Sequence, residues 1–337
     1  MKKFKVGLVL YKNWVDSMFS EEDMAFLKTI ADVTDPDTLP NEITREFMLE
    51  ELKDADVAVT CWGTPSFTDE MLEQLPNLKL VAHAAGAVKN LVPPSFWTSG
   101  RRIFSNAPII AEDVAQTTLA LILTSLKQLW QLSAETRQGK WGGGESGSFG
   151  TRRLDGLNVG LVGASLVGRE VIRYLKPFNC NILMSDPFLS PLEAEQMGVT
   201  LMELDDMIRV SDVLSLHAPA NEDCYHMLNA DNIPLMKDGA LLINTARGML
   251  IDETALIKEL ETGRIMACLD VTDPEPPVAD SPLRTLPNVI LMPHRAGGHT
   301  LNGRRMMGRN VVVEIYNYLM TGKLKVEVRG DMVKHMA

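Results

Sequence analysis

Short apolar runs alternate with amphipathic stretches along most of the chain, and this alternation restricts the fold more than any other feature. Runs rich in Val, Ile and Leu are typical of parallel strands buried on both faces, and patterns with a helical period separate most of them. In the N-terminal third the alternating segments are residues 5–10, 22–30, 55–60, 71–75 and 78–82, with a last apolar run at 103–105. In the second series the predicted strands are residues 158–162, 181–185, 213–217, 240–244, 266–269 and 289–292. Both series predict β-α-β units, so the expected fold class is α/β, with the second series forming a doubly wound parallel sheet.

Length, composition and charge narrow the class further. The 337 residues exceed one compact core of ordinary size and therefore predict two domains. Apolar residues make up 45% and charged residues 23%, which is typical of a globular chain and not of a disordered one. A formal net charge of -11 gives no net attraction for phosphate backbones or anionic lipids. We therefore expect neither nucleic acid nor a membrane as a partner.

The sequence shows no targeting signal and no cysteine spacing typical of a metal site. The apolar run at residues 5–10 follows a basic start but lacks a small-residue cleavage site, so it predicts a buried strand and not a signal peptide. No uninterrupted apolar stretch approaches the roughly 20 residues needed to cross a bilayer, and we expect a cytoplasmic protein. Cys61, Cys180, Cys224 and Cys268 show no Cys-x-x-Cys spacing. They predict reduced thiols, with no metal site.

Two connecting segments divide the series. Pro108 begins a long helical pattern whose apolar stripe continues to Leu132. The glycine-rich segment 139–150 follows, and we expect an exposed flexible connection because no helix start comes after it. A last amphipathic stretch, residues 299–320, predicts a helix that returns to the first domain.

A dinucleotide fingerprint lies where the second series begins. The strand at 158–162 is followed by a Gly-x-Ser-x-x-Gly pattern at residues 163–168. The residues of this pattern expected to bind the cofactor are Gly163, Ser165, Leu166, Val167 and Gly168. The first glycine allows a tight turn and the third allows close packing of helix on strand, but Ser165 replaces the glycine that lets a pyrophosphate approach closely. Its hydroxyl could offer a phosphate a hydrogen bond instead.

An acidic residue strengthens this weak motif. Asp186 follows the next predicted strand, eighteen residues after Gly168, where a carboxylate can bind both ribose hydroxyls and repel a 2'-phosphate. Pro187 and Phe188 follow it, with no arginine beside it. The spacing favours NAD over NADP as the cofactor, and the alternative is that the glycines serve a turn and Asp186 caps a helix.

Three further segments follow successive predicted strands: Asn-Thr-Ala-Arg-Gly at 244–248, Leu-Asp-Val-Thr-Asp-Pro-Glu-Pro at 269–276 and Met-Pro-His-Arg-Ala-Gly-Gly at 292–298. Together with residues 107–123 and His-Ala-Pro at 217–219, they resemble the D-isomer-specific 2-hydroxyacid dehydrogenase family. The resemblance covers nearly the whole chain. It implies two Rossmann-like domains, a flavodoxin-like substrate domain formed by residues 1–107 and 298–337, and an NAD-binding domain formed by residues 108–297. It also implies a homodimer.

The resemblance assigns catalytic roles to Arg247, Glu275 and His294, and the chemistry explains these residue types. A planar guanidinium can bind the carboxylate of a 2-keto acid and polarise the neighbouring carbonyl. Histidine can donate a proton to the carbonyl oxygen when hydride reaches the α carbon, and can reclaim it in the reverse direction. A glutamate on the other ring nitrogen would fix the tautomer and favour imidazolium. Each residue alone could equally cap a helix or form a turn.

The remaining site residues are expected around these. On the cofactor side they are His217, Thr245, Asp270, His294 and Gly297, with Asp270 near the nicotinamide and His217 either on the adenosine side or structural. On the substrate side they are Gly63, Gly86, Ala87 and Lys89 together with Arg247, the backbone amides near Gly86 holding the substrate carboxylate. Lys89 stands where the family usually has an acid, which hints at an additional anionic group. Trp62 and Thr64 flank Gly63, and Trp62 could equally belong to the core.

Two other functions remain open at this point. An NAD(H)-responsive binding or regulatory protein on the same scaffold would keep the fold and the cofactor. Such a protein would not need all three of Arg247, Glu275 and His294. A chain in which Ser165 has abolished dinucleotide binding would be a structural relic. The leading hypothesis is hydride transfer between NAD(H) and a small D-2-hydroxy or 2-keto acid.

Overall fold

The computed structural model describes residues 4–141 and 150–333. The expected flexible connection at 139–150 therefore lies largely outside the described residues. From the N-terminus, the strands and α-helices are β1 Phe4–Val9, α1 Lys12–Met18, α2 Glu21–Ile30, β2 Ala31–Val33, α3 Arg45–Leu52, β3 Val57–Thr60, α4 Asp69–Gln74, β4 Leu80–His83, β5 Arg102–Ser105 and α5 Ala107–Leu126.

The elements that follow begin with α6 and end with a long C-terminal helix. They are α6 Leu129–Arg137, β6 Asn158–Val162, α7 Leu166–Leu175, β7 Asn181–Ser185, α8 Pro191–Met197, β8 Thr200–Leu201, α9 Leu204–Val210, β9 Val213–Leu216, β10 Leu241–Asn244, α10 Glu253–Glu261, β11 Met266–Leu269, β12 Val289–Leu291 and α11 Leu301–Thr321.

The chain forms two compact units. The first comprises the residues up to Ile110 and those from Gly298 onward, and the second runs from Ala111 to Gly297. The expected boundary after residue 107 thus falls three residues before the observed one. The physical reason is the first turn of α5, where Ile109 and Ile110 pack against the core of the first unit.

The first unit contains a five-stranded sheet in the order β2-β1-β3-β4-β5. Every pair is parallel, and the order is that of flavodoxin-like folds. One face of the sheet is covered by α1, α2 and α11, with Met307, Val311 and Ile315 of α11 in the same buried cluster as Leu8 of β1. α11 comes so close to the end of α1 that a side chain at Gly308 would meet the Met18 carbonyl. The C-terminal helix thus completes the core of the N-terminal unit.

The second unit contains a seven-stranded parallel sheet in the order β12-β11-β10-β9-β6-β7-β8. Numbered within the unit, this is the doubly wound dinucleotide-binding order with one additional strand, and the order reverses between β6 and β9. Buried apolar clusters lie on both sheet faces, which explains the continuous apolar strands in the sequence. The carboxyl ends of β10, β11 and β12 are neighbours at one edge of this sheet.

The prediction of one continuous helix from Pro108 to Leu132 is wrong, because the chain forms two helices there. α5 ends at Leu126, and Gln128 adopts a left-handed conformation with φ of 49° before α6 begins at Leu129. The Gln128 side chain Nε2 donates a hydrogen bond to the Gly150 carbonyl at 2.7 Å. Leu129, expected in the apolar stripe, is consequently 52% exposed.

α5 is the one helix of the described residues that is long and apolar enough, by length and composition, to cross a membrane. From the sequence we expected no uninterrupted apolar stretch long enough to cross a bilayer. Eight of its residues are buried, and the core helix of a soluble protein meets the same criterion. The finding is therefore weak evidence for a span.

Candidate active site

Arg247 is presented by a turn that Asn244 organises at the carboxyl end of β10. The buried Asn244 Nδ2 donates to the Arg247 carbonyl at 2.8 Å, and its Oδ1 accepts from the Ala246 amide at 3.0 Å. The Arg247 guanidinium donates to the Ala246 carbonyl at 2.6 Å. Burial lowers the pKa of Arg247 below its usual value, while the charge of Glu275 acts in the opposite direction. The guanidinium is therefore within the electrostatic influence of Glu275.

Glu275 and His294 form a direct pair. His294 Nδ1 lies 2.7 Å from Glu275 Oε1, and the side chains are 44% and 43% exposed respectively. The His294 backbone has φ of 53°, an uncommon left-handed conformation for a residue with a side chain. This geometry leaves Nε2 as the ring nitrogen available to a ligand.

Asp270 fixes the segment that bears His294. It is 1% exposed, and its Oδ1 and Oδ2 accept from the backbone amides of Arg295 at 2.7 Å and Ala296 at 2.8 Å. The His294 amide donates to the Asp270 carbonyl at 2.8 Å, and the Ala296 carbonyl accepts from the Thr117 hydroxyl at 2.8 Å. Two charge-assisted bonds in a buried setting make this acid a support of the loop. Its expected place near a nicotinamide stays a prediction.

The segments that carry Arg247 and Glu275 are packed against each other. A side chain at Gly248 would overlap the Thr272 carbonyl group and lie 2.7 Å from the Asp273 nitrogen. Only glycine allows this approach, so the turn after Arg247 is locked to the chain leading to Glu275. The structure therefore brings the predicted arginine, glutamate and histidine together at the ends of three adjacent strands.

The expected dinucleotide turn lies at the carboxyl end of β6. Gly163 has φ of 99°, and a Cβ there would come within 2.8 Å of the Ala218 nitrogen. A side chain at Gly168 would overlap the Gly163 carbonyl oxygen. Ser165 Oγ accepts from the Gly168 amide at 3.3 Å and caps α7, whose first turn comprises Leu166, Val167 and Gly168. The serine thus uses its hydroxyl as an N-cap acceptor and leaves the close approach at Gly163 intact.

Asp186 lies beside this turn. Its Oδ2 accepts from the Ala164 amide at 2.7 Å, and its Oδ1 accepts from the Phe188 amide at 2.8 Å. Each carboxylate oxygen retains acceptor capacity after one such bond. The carboxylate is therefore aimed at the glycine turn and does not act as the cap of α8, which begins after Ser190.

Three other expected cofactor residues follow strands of this sheet: His217 after β9, Thr245 after β10 and Gly297 after β12. His217 is buried, its Nε2 lies 3.0 Å from Ser215 Oγ, and burial lowers its pKa to about 3. Its Nδ1 is buried with no hydrogen-bond partner among the described residues. The Thr245 hydroxyl lies 3.1 Å from that of Thr118 on α5. Gly297 is the last residue before the first unit resumes.

The expected substrate loops belong to the first unit. Gly63 has φ of 83°, and a Cβ there would lie 2.5 Å from the Tyr11 ring. The Thr64 hydroxyl donates to the Val9 carbonyl at 2.7 Å and accepts from the Cys61 amide at 3.0 Å. The loop around Gly63 is thus anchored at the carboxyl ends of β1 and β3.

His83 supports the second of these loops, and sequence reasoning missed it. His83 Nδ1 lies 2.9 Å from Thr60 Oγ1, and the side chain is hydrogen-bonded to the Ala87 backbone. Burial lowers its pKa to about 4, with the Ala87 bond opposing that effect. Gly86 is partly buried, while Ala87 and Lys89 are exposed. The available signal was the position of His83 at the end of a predicted strand.

In the part of the chain that the structure describes, no group of three or more His, Cys, Asp or Glu side chains could hold a metal ion. Cys61, Cys180, Cys224 and Cys268 are all free thiols. The chemistry available at the candidate site is that of charge, hydrogen bonding and proton transfer.

The doubly wound sheet and the glycine turn, with Arg247, Glu275 and His294 at the ends of adjacent strands, define a dinucleotide-binding scaffold. Residues 119–296 match the family model of the D-isomer specific 2-hydroxyacid dehydrogenase NAD binding domain, and the chain belongs to that family.

Similar proteins agree with this assignment. A hydroxypyruvate reductase of Thermotoga maritima is 30% identical over 280 residues, covering 82% of this chain and 89% of the relative. A D-3-phosphoglycerate dehydrogenase of Methanocaldococcus jannaschii is 35% identical over 289 residues, but this chain spans only 54% of it. A second such enzyme, from Archaeoglobus fulgidus, is spanned to 51%, so the chain covers about half the length of these two relatives. The crystal structure of a glyoxylate reductase from Paecilomyes thermophila superposes with a TM-score of 0.80 at 26% identity, covering 97% of this chain and 99% of that one.

Proposed function

We propose that the protein transfers a hydride between NAD(H) and the α carbon of a small D-2-hydroxy or 2-keto acid. The observation that carries the proposal is the 2.7 Å contact between His294 Nδ1 and Glu275 Oε1, next to a partly buried Arg247 that feels the charge of the same glutamate. The guanidinium of Arg247 suits a carboxylate-bearing substrate.

The residues present fit a dinucleotide. Gly163 has φ of 99° and packs closely against the Ala218 backbone, which forms the tight turn, and the N-terminus of α7 offers amide groups to a pyrophosphate. Asp186 keeps acceptor capacity for ribose hydroxyls, and its negative charge would repel a 2'-phosphate. The unpartnered Nδ1 of His217 is a buried polar atom that a ligand could satisfy. These features support NAD as the cofactor.

The mechanism follows from what each side chain can do. Bound NADH supplies the hydride. Arg247 binds the substrate carboxylate and polarises the keto oxygen through its guanidinium donors. Glu275 accepts a hydrogen bond from His294 Nδ1–H, which holds the ring in place and stabilises its protonated form. Imidazolium Nε2–H then donates its proton to the developing alkoxide, and the neutral ring reclaims a proton in the oxidation direction.

The names of the relatives support a small substrate. Hydroxypyruvate reductase and glyoxylate reductase are among the similar proteins, and both names denote short 2-keto acids. We therefore propose glyoxylate, hydroxypyruvate and pyruvate as the first substrates to test. Gly63, Gly86, Ala87 and Lys89 are proposed as substrate-binding residues of the first unit, with the amides near Gly86 addressing a carboxylate.

The test is NADH consumption by the purified full chain with each of these keto acids. The expected result is saturable NADH oxidation and formation of the D enantiomer of the hydroxy acid. A folded protein that binds NADH, followed by its fluorescence, but oxidises none of a broad keto-acid panel would contradict the proposal. That outcome would favour the NAD(H)-responsive regulatory protein, while absence of NADH binding would favour the structural relic.

We also propose a cytoplasmic homodimer. Reduced cysteines fit a reducing compartment. The second unit exposes apolar side chains that a partner could cover, with exposed fractions of 52% for Leu129, 51% for Trp130 and 92% for Trp141. Light scattering should give twice the chain mass, and Trp130→Lys should shift the protein toward monomer. A monomer at all concentrations would refute the assembly.

A further inference from the structure

Glu275 lies on the connection between β11 and β12, in a stretch that is poor in backbone hydrogen bonds. Residues 273–277 have the sequence Asp-Pro-Glu-Pro-Pro. Because proline has no backbone N–H, Asp273 and Glu275 provide the two backbone donors of these five residues. Within residues 4–141 and 150–333, no backbone–backbone hydrogen bond involves residues 273–277. The position of the Glu275 backbone is therefore set by side-chain contacts and packing.

Side chains hold this stretch on either side of Glu275. Glu253 Oε2 accepts a hydrogen bond from the Asp273 backbone amide at 3.3 Å. Arg284 donates from Nη2 to the Pro277 carbonyl at 2.6 Å. The chain is thus tied two residues before the glutamate and two residues after it. The bond to Glu253 uses one of the two backbone donors that the stretch contains.

Glu253 is presented from a fixed helix start. It is the first residue of α10, and Asp252 caps this helix by accepting from the Ala255 amide at 3.2 Å. The Asp252 amide in turn donates to the Leu228 carbonyl at 2.8 Å. A helix N-terminus carries a partial positive charge, which stabilises a carboxylate in the first turn. The Glu253 carboxylate therefore comes from a part of the unit that is itself anchored.

Three effects act on the ionisation of Glu253. Its partial burial raises its pKa, the hydrogen bond from the Asp273 amide lowers it, and the charge of the Asp273 carboxylate raises it. Of these three effects, the hydrogen bond favours the charged form, which is also the stronger acceptor. The partly buried carboxylate and the Asp273 amide thus stabilise each other.

The same bond connects the Glu275 stretch to the turn of Arg247. Glu253 follows Arg247 by six residues, and between them Gly248 packs against the Thr272 carbonyl group. The packing at Gly248 and the bond to Glu253 therefore hold two successive residues, 272 and 273, against one short stretch of chain. Together they set where Glu275 lies relative to Arg247.

We propose that Glu253 is a positioning residue, which keeps the Glu275 carboxylate on His294 by fixing the Asp273 backbone. This role rests on the proposed function, in which Glu275 orients His294 and stabilises its protonated form. Without the bond, the donor-poor stretch would allow Glu275 to move away from His294 Nδ1, now 2.7 Å distant. The histidine would then lose part of its orientation and of its charge stabilisation, although Glu253 touches neither ring nor substrate.

The first measurement is steady-state NADH oxidation with glyoxylate, hydroxypyruvate or pyruvate. Glu253→Ala removes the acceptor of the Asp273 amide, so kcat should fall by about 5- to 20-fold, while KM for the keto acid and the affinity for NADH stay within about twofold. Glu253→Gln retains a carbonyl oxygen that can accept the same bond and should restore kcat to within about threefold of the native value. Glu261→Ala is the matched control, because it removes an exposed acid from the other end of α10. Thermal unfolding of each variant checks the fold.

Two further readouts separate positioning from a merely structural role. If Glu253 acts through Glu275, then in a Glu275→Ala background the change Glu253→Ala should lower kcat by less than about twofold. The second readout needs no turnover: the ring of His294 is titrated by NMR in histidine-labelled protein, with His294→Asn to assign its signal. A displaced Glu275 favours imidazolium less, so the titration midpoint should move to lower pH in Glu253→Ala, as in Glu275→Gln, and stay in place in Glu261→Ala.

The outcomes distinguish this role from the proposed function. Native protein that binds NADH but reduces no keto acid refutes the proposed function, and the NMR titration then decides whether Glu253 still holds Glu275 on the ring. An unmoved midpoint in Glu253→Ala refutes the positioning role. Equal losses of kcat from Glu253→Ala in the native and Glu275→Ala backgrounds also refute it, because they identify a residue that acts independently of Glu275.

Discussion

Replacing Glu275 by glutamine tests the electrostatic part of the mechanism. The change removes the negative charge 2.7 Å from His294 Nδ1 but leaves a carbonyl oxygen that can accept the same hydrogen bond. A hydrogen bond to a charged group contributes roughly 1.5–3 kcal/mol, and because the side chains are 43% and 44% exposed, solvent screening favours the lower part of that range. Taking about 1–2 kcal/mol, kcat/KM for keto-acid reduction should fall by about 5- to 30-fold.

The assay is steady-state NADH oxidation with saturating NADH and varied keto acid. Glu275→Ala removes the hydrogen-bond acceptor as well as the charge. Its kcat/KM should therefore fall further, by about 100-fold or more, which is within the range for general acid catalysis. Asp280→Asn is the matched control, because Asp280 is an exposed acid of the same connecting segment. Activities of both Glu275 variants within about twofold of the native protein would refute the assigned role.

Two further predictions concern the cofactor turn and the buried histidines. Gly163→Ala should weaken NADH binding by at least about 10-fold, because the backbone at φ of 99° is strained for alanine and the new methyl group would meet Ala218; fluorescence titration measures this, and unchanged affinity would contradict the assigned turn. His83 and His217 have pKa values lowered to about 4 and about 3 from 6.5, so the unfolded chain binds more protons between those values and 6.5. The stabilisation of the folded state by these neutral histidines is therefore complete above pH 6.5, and the free energy of unfolding declines by about 2 kcal/mol per histidine as the pH falls to 5. Urea unfolding across this range should show the loss, and His83→Gln should reduce the dependence of the free energy of unfolding on pH. A free energy of unfolding that does not change between pH 7.5 and 5 would refute the burial argument.

Much of the fold could be predicted because parallel strands buried on both faces leave continuous apolar runs. β6, β7 and β11 coincide with the predicted segments 158–162, 181–185 and 266–269. The short edge strands β2 and β8 were missed, since three and two residues with little burial leave no pattern. The break at Gln128 was missed for a different reason: a left-handed residue other than glycine has no sequence signature, and its conformation depends on the contact with Gly150.

The candidate site could be predicted as a set of residues but not as a network. Arg247, Glu275 and His294 were assigned from the resemblance to the family, and their positions after successive predicted strands explain why they lie close together. The two backbone amides held by Asp270 and the bond between His83 and the Ala87 backbone depend on tertiary position, which no local pattern encodes. The cap that Ser165 forms on α7 was not predicted, while the hydrogen bond that its hydroxyl could offer a phosphate stays a prediction.

Single-turnover reduction of a keto acid by His294→Asn tests the central claim most directly. The variant removes the proton donor while retaining a side chain of similar polarity, and NADH binding is measured separately by fluorescence. We predict that the NADH-loaded variant oxidises its NADH about 10²- to 10⁴-fold more slowly than the native protein. A variant that binds NADH and completes the turnover at the native rate would contradict proton donation by His294.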